Sequence, residues 1–125
     1  MTAWSFWTPL YPDGSRDVLL ELQSDDATGN LQGALTFKGD KFNVNGSWAA
    51  AGSEPDRNFN ALALHGTDLA SGTSLIAATG TFATLADGTQ QMQLNSLRVS
   101  SKTDRQFAWD GVLYANSTSP DDPEG

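Results

Sequence analysis

The segment Phe42-Asn43-Val44-Asn45-Gly46-Ser47-Trp48 sets apolar or small residues against polar ones at a strict period of two. On a helix those apolar side chains would scatter around the axis. On a β-strand they share one face, so the pattern commits the segment to a half-buried strand. The same rhythm occurs earlier in the chain. Val18, Leu20 and Leu22 alternate, and Leu31, Gly33, Leu35 and Phe37 oppose Asn30, Gln32, Thr36 and Lys38. Turn formers stand between the runs: Pro12-Asp13-Gly14-Ser15, Asp25 to Gly29, and Gly39-Asp40. Proline presets φ, glycine accepts φ > 0, and Asp or Ser side chains bond the turn backbone.

Continued along the chain, the pattern gives eight short strands. The first runs from Ala3 to Thr8, and the alternating runs supply strands two to four. A polar loop, Ala51 to Arg57, leads into strand five, Asn58 to His65. Strand six is Ser74 to Phe82. Both are rich in small residues and apolar in both phases, which predicts burial on both faces. Asp87-Gly88 turns the chain into strand seven, Gln91 to Val99. There the phase breaks. Met92 and Leu94 share one face, Leu97 and Val99 the other, which predicts a bulge near Asn95-Ser96. Strand eight is Arg105 to Ala115.

The expected fold class is all-β, an eight-stranded antiparallel up-and-down β-barrel, because closure removes exposed strand edges. A sandwich is the alternative. Residues 1–116 make the barrel domain, and 117–125, with two prolines and three acids, a flexible acidic tail. A chain of 125 residues buries about two-thirds of its unfolded surface and needs no staple. The absence of cysteine excludes disulfides and thiolate chemistry. Seven basic and 15 acidic residues give a net charge of −8. Such a chain repels phosphate backbones and anionic lipid, so neither nucleic acid nor a membrane is an expected partner. No run approaches the ~20 apolar residues of a spanning helix. Met1 to Leu10 has neither the basic start nor the apolar core of a signal peptide. Localisation stays open.

Chemistry-bearing residues are few. His65 is the one histidine. Oriented by Asp68 it would be a general base, but at a strand end the plainer reading is a surface residue. No histidine pair suggests a metal, and no G-x-S-x-G elbow suggests a serine nucleophile. Asp13, Asp25, Asp26, Asp40, Asp56 and Asp87 fall in turns, where Asx chemistry accounts for them. Glu21 has the polar phase of strand two and is expected in solvent. Asp110, within strand eight, is a candidate acid or ligand anchor if its phase faces the interior. Trp4, Trp7, Trp48 and Trp109 can wall an apolar cavity or pack as core. Trp4 and Trp7 have opposite phases, so one is expected at the surface or an interface.

Several segments together resemble the avidin and streptavidin barrels. Gly29-Asn30-Leu31-Gln32-Gly33 is similar to the G-x-L-x-G third strand, and Phe42 to Trp48 to the strand after it. Thr79-Gly80-Thr81-Phe82 is similar to the sixth strand. Leu97 to Ser101 and Phe107-Ala108-Trp109 are similar to the last two. The resemblance covers nearly the whole chain and implies a ligand-binding barrel that forms a homo-oligomer, a dimer or tetramer. It implies polar ligand contacts at Ser15 and Ser74, and a tryptophan, Trp109, that reaches a neighbouring subunit's site. Other biotin-bonding positions differ. The strand-one asparagine falls on Pro9, and the third-strand tyrosine and serine fall on Leu35 and Phe37. The sixth-strand threonine and tryptophan fall on Ile76 and Ala78, and the seventh-strand tryptophan on Leu97. The late acid or amide falls near Asn116 or Ser117. Each unmet bond to a buried ureido group costs about 1–3 kcal/mol, so tight biotin binding is not expected.

The expected function is a non-enzymatic barrel that binds a small apolar or amphipathic molecule without a cofactor. Its cavity would open near the Pro9–Ser15 and Ala49–Arg57 loops and be lined by Ser15, Leu35, Phe37, Trp48, Ser74, Ile76 and Trp109. A second reading is an oligomeric interaction or carbohydrate-binding module that uses the exposed apolar phases of strands five and six with Trp109. A third is a cofactor-free cyclase or isomerase that uses Asp110 and His65.

Overall fold

In a computed structural model the apolar runs become eight antiparallel strands. The structure describes residues 1–50, 59–70, 72, 74–84, 89–100 and 105–115. The Ala51–Arg57 loop, the Asp87-Gly88 turn, Asn116, Ser117 and the rest of the tail lie outside the described residues. The strands are β1 (Thr2–Trp7), β2 (Val18–Asp25), β3 (Asn30–Phe37), β4 (Asp40–Ala50), β5 (Phe59–Asp68), β6 (Ser74–Thr84), β7 (Gln90–Ser100) and β8 (Arg105–Ala115). They pair in chain order and the sheet closes on itself, the up-and-down barrel that the alternation predicts. No helix among the described residues is long and apolar enough to cross a membrane.

Turn geometry sets the register. Lys38 and Gly39 both have positive φ, 47° and 91°. A two-residue hairpin turn of the mirror-image type needs that geometry to match strand twist. The turn therefore falls one residue before Gly39-Asp40, and Asp40 opens β4, paired with Phe37. Closure is staggered. The ladder that starts at Ser5 passes Glu21, Ala34, Asn43, Thr67, Leu75 and Val99 and ends at Gln106. Unstaggered closure would set Trp7 against position 104, but Trp7 pairs with Tyr114. The offset of about ten residues along β8 tilts the strands and fixes the interior's width.

One phase of every strand faces the axis. Phe6, Val18, Leu20, Leu22, Leu31, Leu35, Phe42, Val44, Leu62, Leu64, Ile76, Met92, Leu94 and Leu113 are buried in a single cluster. Gly46 is an inward position where the β5 backbone comes close. A methyl group there would collide with the Ala63 carbonyl.

Three expectations need correction. β7 keeps an unbroken register with both neighbours from Gln90 to Ser100, so there is no bulge at Asn95-Ser96. Instead the strand inverts its polarity. Ser96, Arg98 and Ser100 face inward, and Leu97 and Val99 face outward. The outer phases of β5 and β6 are not buried either, since Ala63, His65, Leu75 and Ala77 are exposed. Trp7 is buried, although it has the phase opposite to Trp4, and its indole N–H has no hydrogen-bond partner.

Replacing Gly46 with alanine should destabilise the protein by about 1–3 kcal/mol, because backbone rather than a movable side chain blocks the methyl. Urea denaturation measures it. An unchanged midpoint would mean that β4 and β5 are further apart than described here.

Candidate functional site

The barrel has two ends. The β1–β2 connection, the Lys38-Gly39 turn and the β5–β6 connection lie at one, the Lys38 end. Met1 and the Asp26–Gly29 turn lie at the other, the Met1 end.

Aromatic rings close the Met1 end. Trp4 stands 5.4 Å from Trp48 and 5.0 Å from Phe82, and Phe6 meets Phe82 edge-on at 5.9 Å. The polar edge of this plug is satisfied. The Trp48 indole N–H donates to the Ser24 hydroxyl (2.8 Å), which donates to Asp26 (2.8 Å). Thr2 donates to the other Asp26 oxygen. Those two bonds, Thr2 first and Ser24 second, favour the ionised carboxylate and hold its pKa below the ordinary value.

An ion pair spans the Lys38 end. Arg98 on β7 reaches Asp40 on β4 at 2.6 Å. These strands are not neighbours in the sheet, so the pair crosses the mouth. The guanidinium lies over the Phe42 ring, 5.3 Å from its centre. Phe37 and Trp109 meet edge-to-face beside it at 5.9 Å.

The structure brings only some of the expected site residues together. Phe37, Ser74, Ile76 and Trp109 belong to the Lys38 end, whereas Trp48 belongs to the aromatic plug at the other. The loop of Pro9–Ser15 and the β4 residues Ala49 and Ala50 are likewise at opposite ends, so they do not frame one opening. Ser15 is exposed and donates to Asp13, with which it forms the turn. Leu35 and Ile76 are 1% and 3% exposed. So little accessible area leaves no open ligand cavity against either side chain. Where the resemblance implies a tyrosine and a threonine for a ligand, leucine and isoleucine fill the space. Asp110 is exposed on the outer phase. His65 and Asp68 point to opposite faces, and Asp68 accepts from the Ala70 N–H. No dyad forms between them.

The inverted half of β7 is what residue-by-residue reading missed. Its outward Leu97 and Val99 join Leu75, Ala77, His65 and Thr67 in a shallow apolar depression on β5–β7. Leu75 and Leu97 are 57% and 44% exposed. The phase break at Asn95-Ser96 was the available signal. It marks a sheet with an apolar exterior, not a bulge.

No protein-family model, characterised protein or solved structure matches the chain. The architecture is compatible with an avidin-like barrel, and no match places the chain in that family.

Two measurements follow from this geometry. Leu35→Ala should cost about 2–5 kcal/mol in urea denaturation, as in a packed core; a cost near zero would mean a solvent-filled pocket. Asp26→Asn should lower stability at neutral pH. The gap to the parent protein should close as pH falls below about 4, because a depressed carboxylate pKa stabilises only above it. A gap independent of pH would detach Asp26 from the plug.

Proposed function

We propose that this chain is a non-enzymatic assembly barrel that binds a second copy of itself through the outer face of β5–β7. The apolar depression lined by Leu75, Ala77, Leu97 and Val99 is the observation that supports this reading. Charge distribution names the occupant. The described outward residues of these strands are Ala61, Ala63, His65 and Thr67, then Leu75, Ala77, Thr79, Thr81 and Ala83, then Gln91, Gln93, Asn95, Leu97 and Val99. None is Asp, Glu, Lys or Arg.

A two-fold contact sets a surface against its own image, so a charge near the axis meets its like. For a chain of net charge −8, an uncharged face is where two copies approach with least repulsion. The alanines on β5 and β6 let two sheets lie close. The resemblance to avidin-type barrels implies oligomers as well. With leucine, isoleucine and phenylalanine filling the axis, surfaces rather than an internal cavity are left for binding.

Sedimentation velocity across a concentration series tests the proposal. The parent protein should form a dimer or tetramer. Leu75→Glu with Leu97→Glu should weaken association at least about a hundredfold while leaving the circular dichroism unchanged, because buried carboxylates would lack partners. A monomer at every concentration, or association unmoved by the double variant, would overturn it.

A further inference from the structure

We infer that protonation of His65 governs self-association through the β5–β7 face: two copies join when the imidazole is neutral and separate when it is charged. The inference rests on the assembly reading above and adds the regulation of that same surface.

His65 is the one histidine of the chain and is exposed on the outer phase of β5. Of the residues that line the apolar depression, it alone can titrate. Histidine is also the side chain whose ordinary titration falls between pH 5 and 8.

The surroundings of His65 offer an imidazolium no counter-charge. Asn45 of β4 stands opposite it on one side and Ala77 of β6 on the other. Its diagonal neighbours are Asn43 and Ser47 on β4, and Leu75 and Thr79 on β6. Ala63 and Thr67 flank it on β5 itself. None of these side chains is charged. Charged groups begin further out. Met1, with its amino group, and Asp25 line a second shallow depression that His65 borders from the other side, and Lys41 lies beyond Asn43 on β4. Among the described residues, no ion pair joins His65 to Asp25.

A neutral imidazole has one donor and one acceptor, and the Asn45 amide can serve either. An imidazolium has two donors and a charge. In a separate chain water solvates it. Under a second copy it would lie against Leu75, Ala77 and the opposing apolar face, and burying an unpaired charge is costly. Two-fold symmetry brings a second imidazolium into the same contact. Separate chains therefore bind protons that the dimer excludes, so falling pH favours separation. Overall charge acts in the opposite direction. Acidification reduces the net charge of −8, so a contact controlled by general repulsion would tighten.

Sedimentation velocity between about pH 7.5 and about pH 5.5 tests the inference, in about 0.3 M salt to screen the general repulsion. The full chain is compared with His65→Gln and Asp25→Asn, with circular dichroism at each pH to show the barrel intact. Asp26 is held below the ordinary carboxylate range, so the aromatic plug keeps its charge throughout this window. The parent dimer should weaken at least about tenfold on acidification. The limit for two imidazoles is about a hundredfold at one unit below the ordinary imidazole value. His65→Gln, whatever its association constant at neutral pH, should vary by less than about twofold across the window, and Asp25→Asn should respond as the parent does. A dimer that holds or tightens on acidification overturns the inference and leaves the assembly reading standing. So does a His65→Gln variant that weakens as much as the parent, or loss of the response in Asp25→Asn. A parent protein that is monomeric at every pH and concentration overturns the assembly reading, and this inference with it.

Discussion

Eight strands enclose a space that side chains alone can fill, and the residues that fill it decide what is left for function. Here Leu20, Leu35, Phe42, Val44, Leu94 and Leu113 meet on the axis with almost no accessible area. A ligand cavity and a packed core compete for the same volume. Leucine and isoleucine at positions where an avidin-like barrel would carry polar ligand groups remove both room and hydrogen-bonding capacity. Contacts at both ends complete the packing. The Trp4–Trp48–Phe82 cluster seals one end, and the Arg98–Asp40 pair crosses the other.

The half of β7 nearest the Lys38 end links the two surfaces that remain. By turning Ser96, Arg98 and Ser100 inward, it makes the mouth polar. By turning Leu97 and Val99 outward, it supplies the apolar part of the β5–β7 face. One inversion of polarity within a single strand thus equips both the mouth and the wall. A barrel with a solvated exterior would place these residue types the other way round.

Most of the fold was legible because strand alternation is local. The phases of β2, β3 and β4 could be read directly, and the turn formers marked where the chain reverses. The Lys38-Gly39 turn was misplaced by one residue because Lys38 takes a positive φ that lysine seldom adopts. The bulge was expected because an apolar phase was equated with the interior. That equation fails where an outer face is itself apolar. The Arg98–Asp40 pair was not legible at all. It joins non-neighbouring strands across the mouth, and depends on the stagger of closure, which no local pattern encodes. Trp48 and Trp109 looked like walls of one cavity for the same reason. Their placement at opposite ends emerges only once strand direction and register are known.

The central claim is that the barrel axis is filled and that binding is left to the outside. Crystals pressurised with xenon test it directly, since xenon occupies dry apolar cavities of even modest size. A filled barrel predicts no xenon on the axis and, at most, weak sites on the outer β5–β7 face. Xenon density among Leu35, Ile76 and Leu94 would contradict it and restore an internal ligand cavity.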